Sequence, residues 1–297
     1  MTSLREALVP LGFVVLPRGA GPPVEEAARA PWAFAEALLG ERARMVERQP
    51  IRAVPEGTTF ASSSAMTPLH SDGQLFGGTT PDVQIMACVR PAEQGGKSLL
   101  LDTWRLLDEL DREEPELSRD LFEVPRCIPF FFGDVLGPTV SLRRGGLTFT
   151  HAPVKIRGGV VGDRLRHAIA KRAPIELLVE AGEILIAHNH RLLHGRLAFS
   201  GGAREFTRLL VWLERPLAAP WRFTVRARDV PFTPREHGAG AIDPARRLRV
   251  VLEMIRGAPP GMLSARERIA ERDLYALRDE VVATGLDPRE VALSPAR

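Results

Sequence analysis

The chain has 297 residues, 44% hydrophobic and 26% charged, a balance that fits one large or two small globular domains and excludes a fibrous or disordered chain. Gly (26) and Pro (25) stay below the roughly 25–30% combined share that marks low-complexity sequence, yet they predict many turns. The formal net charge is only +3, and its basic residues are nearly all Arg, with Lys only at 97, 155 and 171. They form no continuous block, so the sequence gives no case for a nucleic-acid partner.

Two cysteines, Cys88 and Cys127, cannot build a disulfide framework and point to a reducing compartment, so a cytoplasmic protein is expected. The apolar run Leu8–Leu16 is interrupted by Pro10 and preceded by Glu6, which spoils it as a signal sequence. No stretch approaches the roughly 20 apolar residues of a membrane span.

In chain order, Gly12–Leu16 reads as a first strand, closed by Pro17. Residues 25–44 carry Ala and Leu at helical spacing, and 50–81 are rich in Ser, Thr, Gly and Pro, which favours extended segments and loops. Val83–Val89 is a strand by length and β-branching. A turn at Gln94–Gly96 leads into a strand Ser98–Leu101, after which Asp102 or Thr103 can cap a helix from Trp104 towards Leu110. Short strands follow at Ile128–Phe132, Thr139–Leu142 and Leu147–His151, then a helix at Asp163–Ala173. Strands Ile175–Val179 and Glu183–Ala187 flank a turn at Gly182, and Thr207–Leu213 is the last strand. Residues 215–240 are loop-like, and 243–256 and 264–284 have helical patterns. Many short strands with few helices predict a sandwich or barrel over 1–214. Residues 215–297 are expected to be a loop and helical extension packed on that same domain.

The histidines carry the chemistry. His70-Ser71-Asp72 places an imidazole and a carboxylate at i and i+2, on one face of an extended segment. The later segment His188-Asn189-His190-Arg191-Leu192-Leu193-His194-Gly195-Arg196 offers a further imidazole. Two His and one carboxylate make the facial ligand set of non-haem Fe(II), with three coordination positions left open.

Thr67–Asp102 and Gly182–Arg208 together resemble the Fe(II)- and 2-oxoglutarate-dependent oxygenases of the TauD/TfdA family, and the second segment is most similar to the clavaminate synthase and γ-butyrobetaine hydroxylase branches. That pattern is H-x-D/E, a Gly-Gly-x-Thr strand, Asn-x-x-x-x-His-Gly-Arg and a later Arg. Here it becomes His70 and Asp72, Gly95-Gly96-Lys97-Ser98, Asn189 with His194-Gly195-Arg196, and Arg208. The resemblance implies a double-stranded β-helix (jelly roll) with flanking helices. It makes His70, Asp72 and His194 the iron ligands and Arg208 the grip on the distal carboxylate of 2-oxoglutarate. Ser98, in place of the usual Thr, supplies a second hydroxyl contact, and Arg204 could assist. Arg208 is expected on a strand beside the metal strand. The implied reaction consumes 2-oxoglutarate and O2, releases succinate and CO2, and oxidises a C–H bond. With Asp72 present, hydroxylation is favoured over halogenation, for which relatives carry a small residue there.

The chain departs from the pattern at His188, where the family usually has Asp. The resulting His188-x-His190 would share one strand face. The bland reading makes both structural imidazoles; the sharp one is a zinc-dependent hydrolase held by His188, His190 and His194. A non-catalytic jelly-roll binding protein is the third possibility. Substrate contacts are sought among Gln74, Arg143, Arg144, His151 and Arg196, with Phe130–Phe132 as an apolar wall. A pocket Arg suits a substrate carboxylate, so a free or carrier-tethered amino acid is the first guess. Arg143-Arg144 also reads as a solvated hairpin tip, and His151, His167 and His237 as surface or loop residues. The C-terminal helices could cover the site or form a homo-oligomer contact.

Overall fold

The computed structural model describes residues 4–54, 57, 59–72, 80–130, 133–152, 159–201, 204–230 and 243–284. Two antiparallel sheets face each other. The larger has five strands in the spatial order Phe13–Leu16, Ile184–His188, Val83–Arg90, Glu205–Leu213 and Ala43–Arg52. The smaller has four, Ile175–Leu177, Ser98–Asp102, Leu192–Arg196 and Thr67–His70. The architecture is the jelly roll that the resemblance implied, with sheets that do not close on each other.

Alternation along the strands sorts the core. Leu185 and Ala187 point between the sheets, where they meet Ile51, Cys88, Leu100 and Phe206. Ile184 and Ile186 point outward, against Leu8, Ala27, Phe34 and Leu39 of the N-terminal helices. The outer face of the smaller sheet, through Leu101 and Leu193, is covered by helices Thr103–Glu113, Pro115–Glu123 and Gly159–Ala170. Asp102 is the cap of the first of these, accepting from the backbone of Trp104 and Arg105.

The C-terminal segment forms three helices, Pro244–Ile255, Pro260–Glu267 and Glu271–Thr284. Val250, Met254, Leu263, Leu274 and Leu277 pack on Met45, Leu210 and Trp212 of the larger sheet. On the same strands Ile51 and Phe206 line the space between the sheets, so the extension extends the inner face rather than the outer one. Among the described residues no helix is long and apolar enough to cross a membrane.

Several expected boundaries move. The helix expected over 25–44 ends at Leu39, because Gly40 adopts a left-handed conformation (φ 68°) and closes the last turn on Glu36. Ala43–Arg52 is then a strand, paired along its length with Glu205–Leu213. Its polar residues hid it: Glu47 and Gln49 face inward for a reason that only the site explains. Pro115–Glu123 was not anticipated. The helical pattern of 264–284 is cut where Arg268 turns left-handed (φ 55°). The tip Arg143-Arg144 is not solvated: Arg143 is buried and Arg144 donates to the Leu213 carbonyl. Gln74, His237 and Phe131–Phe132 lie outside the described residues.

Candidate metal centre

His70 is the last residue of its strand and lies directly opposite His194 on the neighbouring strand. Antiparallel pairing thus brings the two rings to a centroid distance of 4.4 Å. Gly195 permits the close pairing, since a Cβ there would fall 2.6 Å from the Thr67 carbonyl oxygen. Just beyond the strand end, Asp72 places Oδ1 3.4 Å from His70 Nε2 and Oδ2 3.4 Å from His194 Nε2. One ligand atom from each of the three lies within 4.8 Å of the others; among the described residues no other group of His, Cys, Asp and Glu converges in this way.

Asn189 fixes the carboxylate's loop. Its amide accepts from the Asp72 N–H and donates to the carbonyls of Asp72 and Pro81. Ser71 is tied to the backbone of His151 on the other side. His70 Nδ1 is 2.9 Å from the Pro68 carbonyl, which requires the proton on Nδ1 and turns Nε2 towards Asp72.

The charges suit a cation. Burial works to raise the Asp72 carboxyl, but Arg208 beside it, with His194 and His70, holds it well below the usual carboxylate range. Burial pushes the His194 imidazole down, so it is neutral, the form that binds metal. These donor types, one ionised carboxylate and two imidazoles, fit Fe(II) with room for exchangeable ligands.

Arg208 does not stand beside the strand that carries His194. It belongs to the facing sheet and reaches across: Nη1 donates to Asp72 Oδ2 at 2.6 Å and Nε to Gln49 Oε1 at 2.9 Å. Gln84 also donates to Asp72 Oδ2, at 2.8 Å. Behind Gln49 the chain of contacts continues, for its amide donates to Glu47, and Glu47 is paired with Arg278 at 2.9 Å. Glu47 and Arg278 are 2% and 1% exposed, so a buried ion pair links the last C-terminal helix to the inner face of the strand behind the site.

A cavity opens from the ligands between the sheets. His70, His194, Ser98, Arg196, Arg204 and Arg208 supply its polar lining, and Phe60, Met86, Leu100 and Leu185 its apolar wall. Arg204 is 3% exposed and stacks over Phe206 at 4.1 Å, and its guanidinium has no hydrogen bond or ion pair among the described residues. Burial lowers it to about 10, with Arg196 nearby adding to the effect. Arg196 anchors the loop before the metal strand through the carbonyls of Ser63 and Ala65, while its buried Nε has no partner among the described residues.

The other expected contacts lie elsewhere. Arg143 is buried near His190 and does not line the cavity. His151 is buried rather than superficial, with its imidazole pushed down to about 3 by burial. His188 and His190 do not share a strand face, because the strand ends at His188 and His190 sits in the following turn, bonded to Thr80. They do not converge with His194 into a zinc set. Gln49, Gln84, Glu47 and Arg278 escaped the sequence reading. Only Gln84, a polar residue inside the apolar run Val83–Val89, left a signal that could have been followed.

The family model described as "Taurine catabolism dioxygenase TauD, TfdA family" matches residues 1–145, the stretch that contains His70, Asp72 and Ser98. Over that stretch, just under half of its length, the chain is similar to the TauD/TfdA family. A curated uridine-5'-phosphate dioxygenase from a Streptomyces species is 30% identical over 150 residues, which are 44% of this chain and 55% of that protein. The match therefore spans about half of that relative. Among solved structures, asparagine oxygenase in complex with Fe(II), 2S,3S-3-hydroxyasparagine and succinate superposes with a TM-score of 0.53 at 19% identity, covering 70% of this chain and 79% of the other. The non-heme iron oxygenase OrfP, in complex with Fe, succinate and (3S)-hydroxy-L-Arg, gives 0.53 at 18% identity, with the same coverage. These two likenesses concern the TauD-type fold.

Proposed function

We propose that this protein is a member of the TauD/TfdA family and an Fe(II)- and 2-oxoglutarate-dependent oxygenase that hydroxylates a C–H bond of a small molecule. The substrate, 2-oxoglutarate and O2 would give hydroxylated substrate, succinate and CO2. The observation that carries the reading is the convergence of His70, Asp72 and His194 on one point at the mouth of a cavity whose inner walls bear Ser98 and Arg208.

His70, Asp72 and His194 would hold the metal, which when bound with 2-oxoglutarate supplies the activation of dioxygen. The protein's own residues do the rest. Ser98 is paired with Arg196, two residues along the strand from the His194–Leu100 pair; Arg208 is paired with Met86, two residues from the Leu210–Gln84 pair. The two groups thus stand at one depth on facing sheets, one residue pair in from the metal end. A guanidinium and a hydroxyl at that depth can share the distal carboxylate of 2-oxoglutarate. Arg208 is charge-matched to Asp72 and held by Gln49, so its position is set before any ligand arrives. Arg204 adds a second cation farther along the same wall. Phe60, Met86, Leu100 and Leu185 keep the cavity dry.

The relatives named above act on a nucleotide or carry hydroxylated amino acids, all small polar molecules. With cationic walls in the cavity, a carboxylate-bearing substrate, a free or carrier-tethered amino acid, remains the reading we favour.

Anaerobic titration of the metal-free protein with Fe(II) and then 2-oxoglutarate tests the proposal. A weak visible charge-transfer band that requires both is expected. Tight retention of zinc, with no such band, would overturn it.

A further inference from the structure

A second cavity, of about 460 Å³, lies on the other side of the larger sheet. Its lining shares no residue with the cavity at the metal ligands. On the strand Ile184–His188, Leu185 lines the first cavity, whereas His188, in phase with Ile184 and Ile186, projects to the opposite face.

The second cavity is mostly apolar, walled by Leu8 and Val9, by Leu217, Ala219 and Pro220, and by Trp104. One polar residue of its wall has no hydrogen-bond partner among the described residues. His188 is 4% exposed, and among the described residues neither Nδ1 nor Nε2 has a hydrogen bond. Its ring stands edge-on to Trp104 at 5.4 Å, so the indole fixes its orientation without satisfying it. Buried polar atoms in folded proteins are almost always hydrogen-bonded, and two on one ring call for a ligand. Burial, reinforced by His190 and Arg191, holds the imidazole neutral, able to donate from one nitrogen and accept at the other.

Arg5, Arg191 and the exposed Glu6 are the charged groups that line the cavity, and both cations are already matched. Arg5 is paired with Glu41 and bonded to the carbonyls of Arg215 and Pro216. Arg191 is held by Asp102 and by the carbonyls of Val9 and Pro10. Neither is left to bind an anion.

We infer that this cavity is a second binding site, for a neutral molecule with a flat apolar body and a single hydroxyl that hydrogen-bonds His188. The apolar walls and Trp104 take the body. The imidazole selects the hydroxyl, because a purely hydrocarbon ligand would leave both ring nitrogens unsatisfied. The site is separate from the substrate cavity and its existence does not depend on the metal.

The probe is 2-naphthol, titrated calorimetrically into the whole metal-free protein, with naphthalene as the counterpart lacking the hydroxyl. One saturable site is expected, at least tenfold weaker for naphthalene. His188→Phe should weaken 2-naphthol tenfold or more. Ala218→Trp, a substitution at an exposed position on the rim, should block it without disturbing the core. Arg208→Ala, in the other cavity, should leave it unchanged. Absence of saturable binding would overturn the inference. So would binding that Arg208→Ala removes, or that survives both Ala218→Trp and His188→Phe.

Discussion

His70 and His194 on one side, and His188 and His190 on the other, are pairs of buried imidazoles built into the same jelly roll, and they have opposite fates. His188, His190 and His194 fall within seven residues, and burial pushes all three towards the neutral form. Neutrality alone therefore does not make a metal centre. His70 and His194 face each other across paired strands, onto a carboxylate that Arg208 and its neighbours keep ionised. The acid beside His190 is Asp82, 3.9 Å away, and burial raises its carboxyl while the Leu213 amide occupies one oxygen. Among the described residues His188 has no acid at hydrogen-bond distance. What separates a ligand set from a structural pair is the convergence of donor atoms on one point, together with an anion that stays charged.

The largest effect that could break this comparison lies in the ligands. His194→Ala and Asp72→Ala should each weaken Fe(II) binding by a hundredfold or more, while His190→Ala keeps one iron per chain. Metal content after equilibrium dialysis decides it, and iron retained by the His194 variant would refute the assignment.

The next effect sharpens the contrast between holding metal and holding the cosubstrate. Arg208→Ala should raise the 2-oxoglutarate KM by about 10–100-fold, as expected for losing a charge-assisted contact of roughly 1.5–3 kcal/mol. Ser98→Ala should raise it by only about 2–10-fold, a neutral hydrogen bond being worth roughly 0.5–1.5 kcal/mol. Both variants should bind Fe(II) in the absence of 2-oxoglutarate. Steady-state kinetics beside a metal titration would expose a purely structural Arg208, whose loss would lower both.

The smallest effect is in pH dependence. His151, His188, His190 and His194 are all pushed below the ordinary value of 6.5, His151 to about 3. In the unfolded chain they take up protons near pH 6.5 that the fold refuses. Their contribution is complete above that pH and is lost as pH falls towards the folded values, at about 1.4 kcal/mol per pH unit for each imidazole. Urea unfolding of the metal-free protein between pH 7.5 and 5 should show stability falling on the acid side, and His151→Phe should flatten that slope by the share of one proton. An unchanged slope in that variant would mean that His151 is reached by solvent.

Local pattern made much of this legible. Val83–Arg90 and Glu205–Leu213 announce themselves by β-branched and apolar runs, Asp102 by its place before a helix, and His70 with Asp72 by a spacing that a single extended segment converts into a shared face. Those features depend on a few neighbouring residues, and the sequence by itself determined them. The partner of each strand did not lie within reach of such patterns. The reading that went with the family resemblance set Arg208 beside the metal strand, whereas sheet packing brought it from the facing sheet onto Asp72. The same packing turned the polar strand around Glu47 and Gln49 inward, against Arg208 and Arg278. It also sent His188 to the opposite face from Leu185, which lines the metal-side cavity. Register and packing across sheets arise from contacts between residues far apart in the chain, and only the tertiary structure decides them.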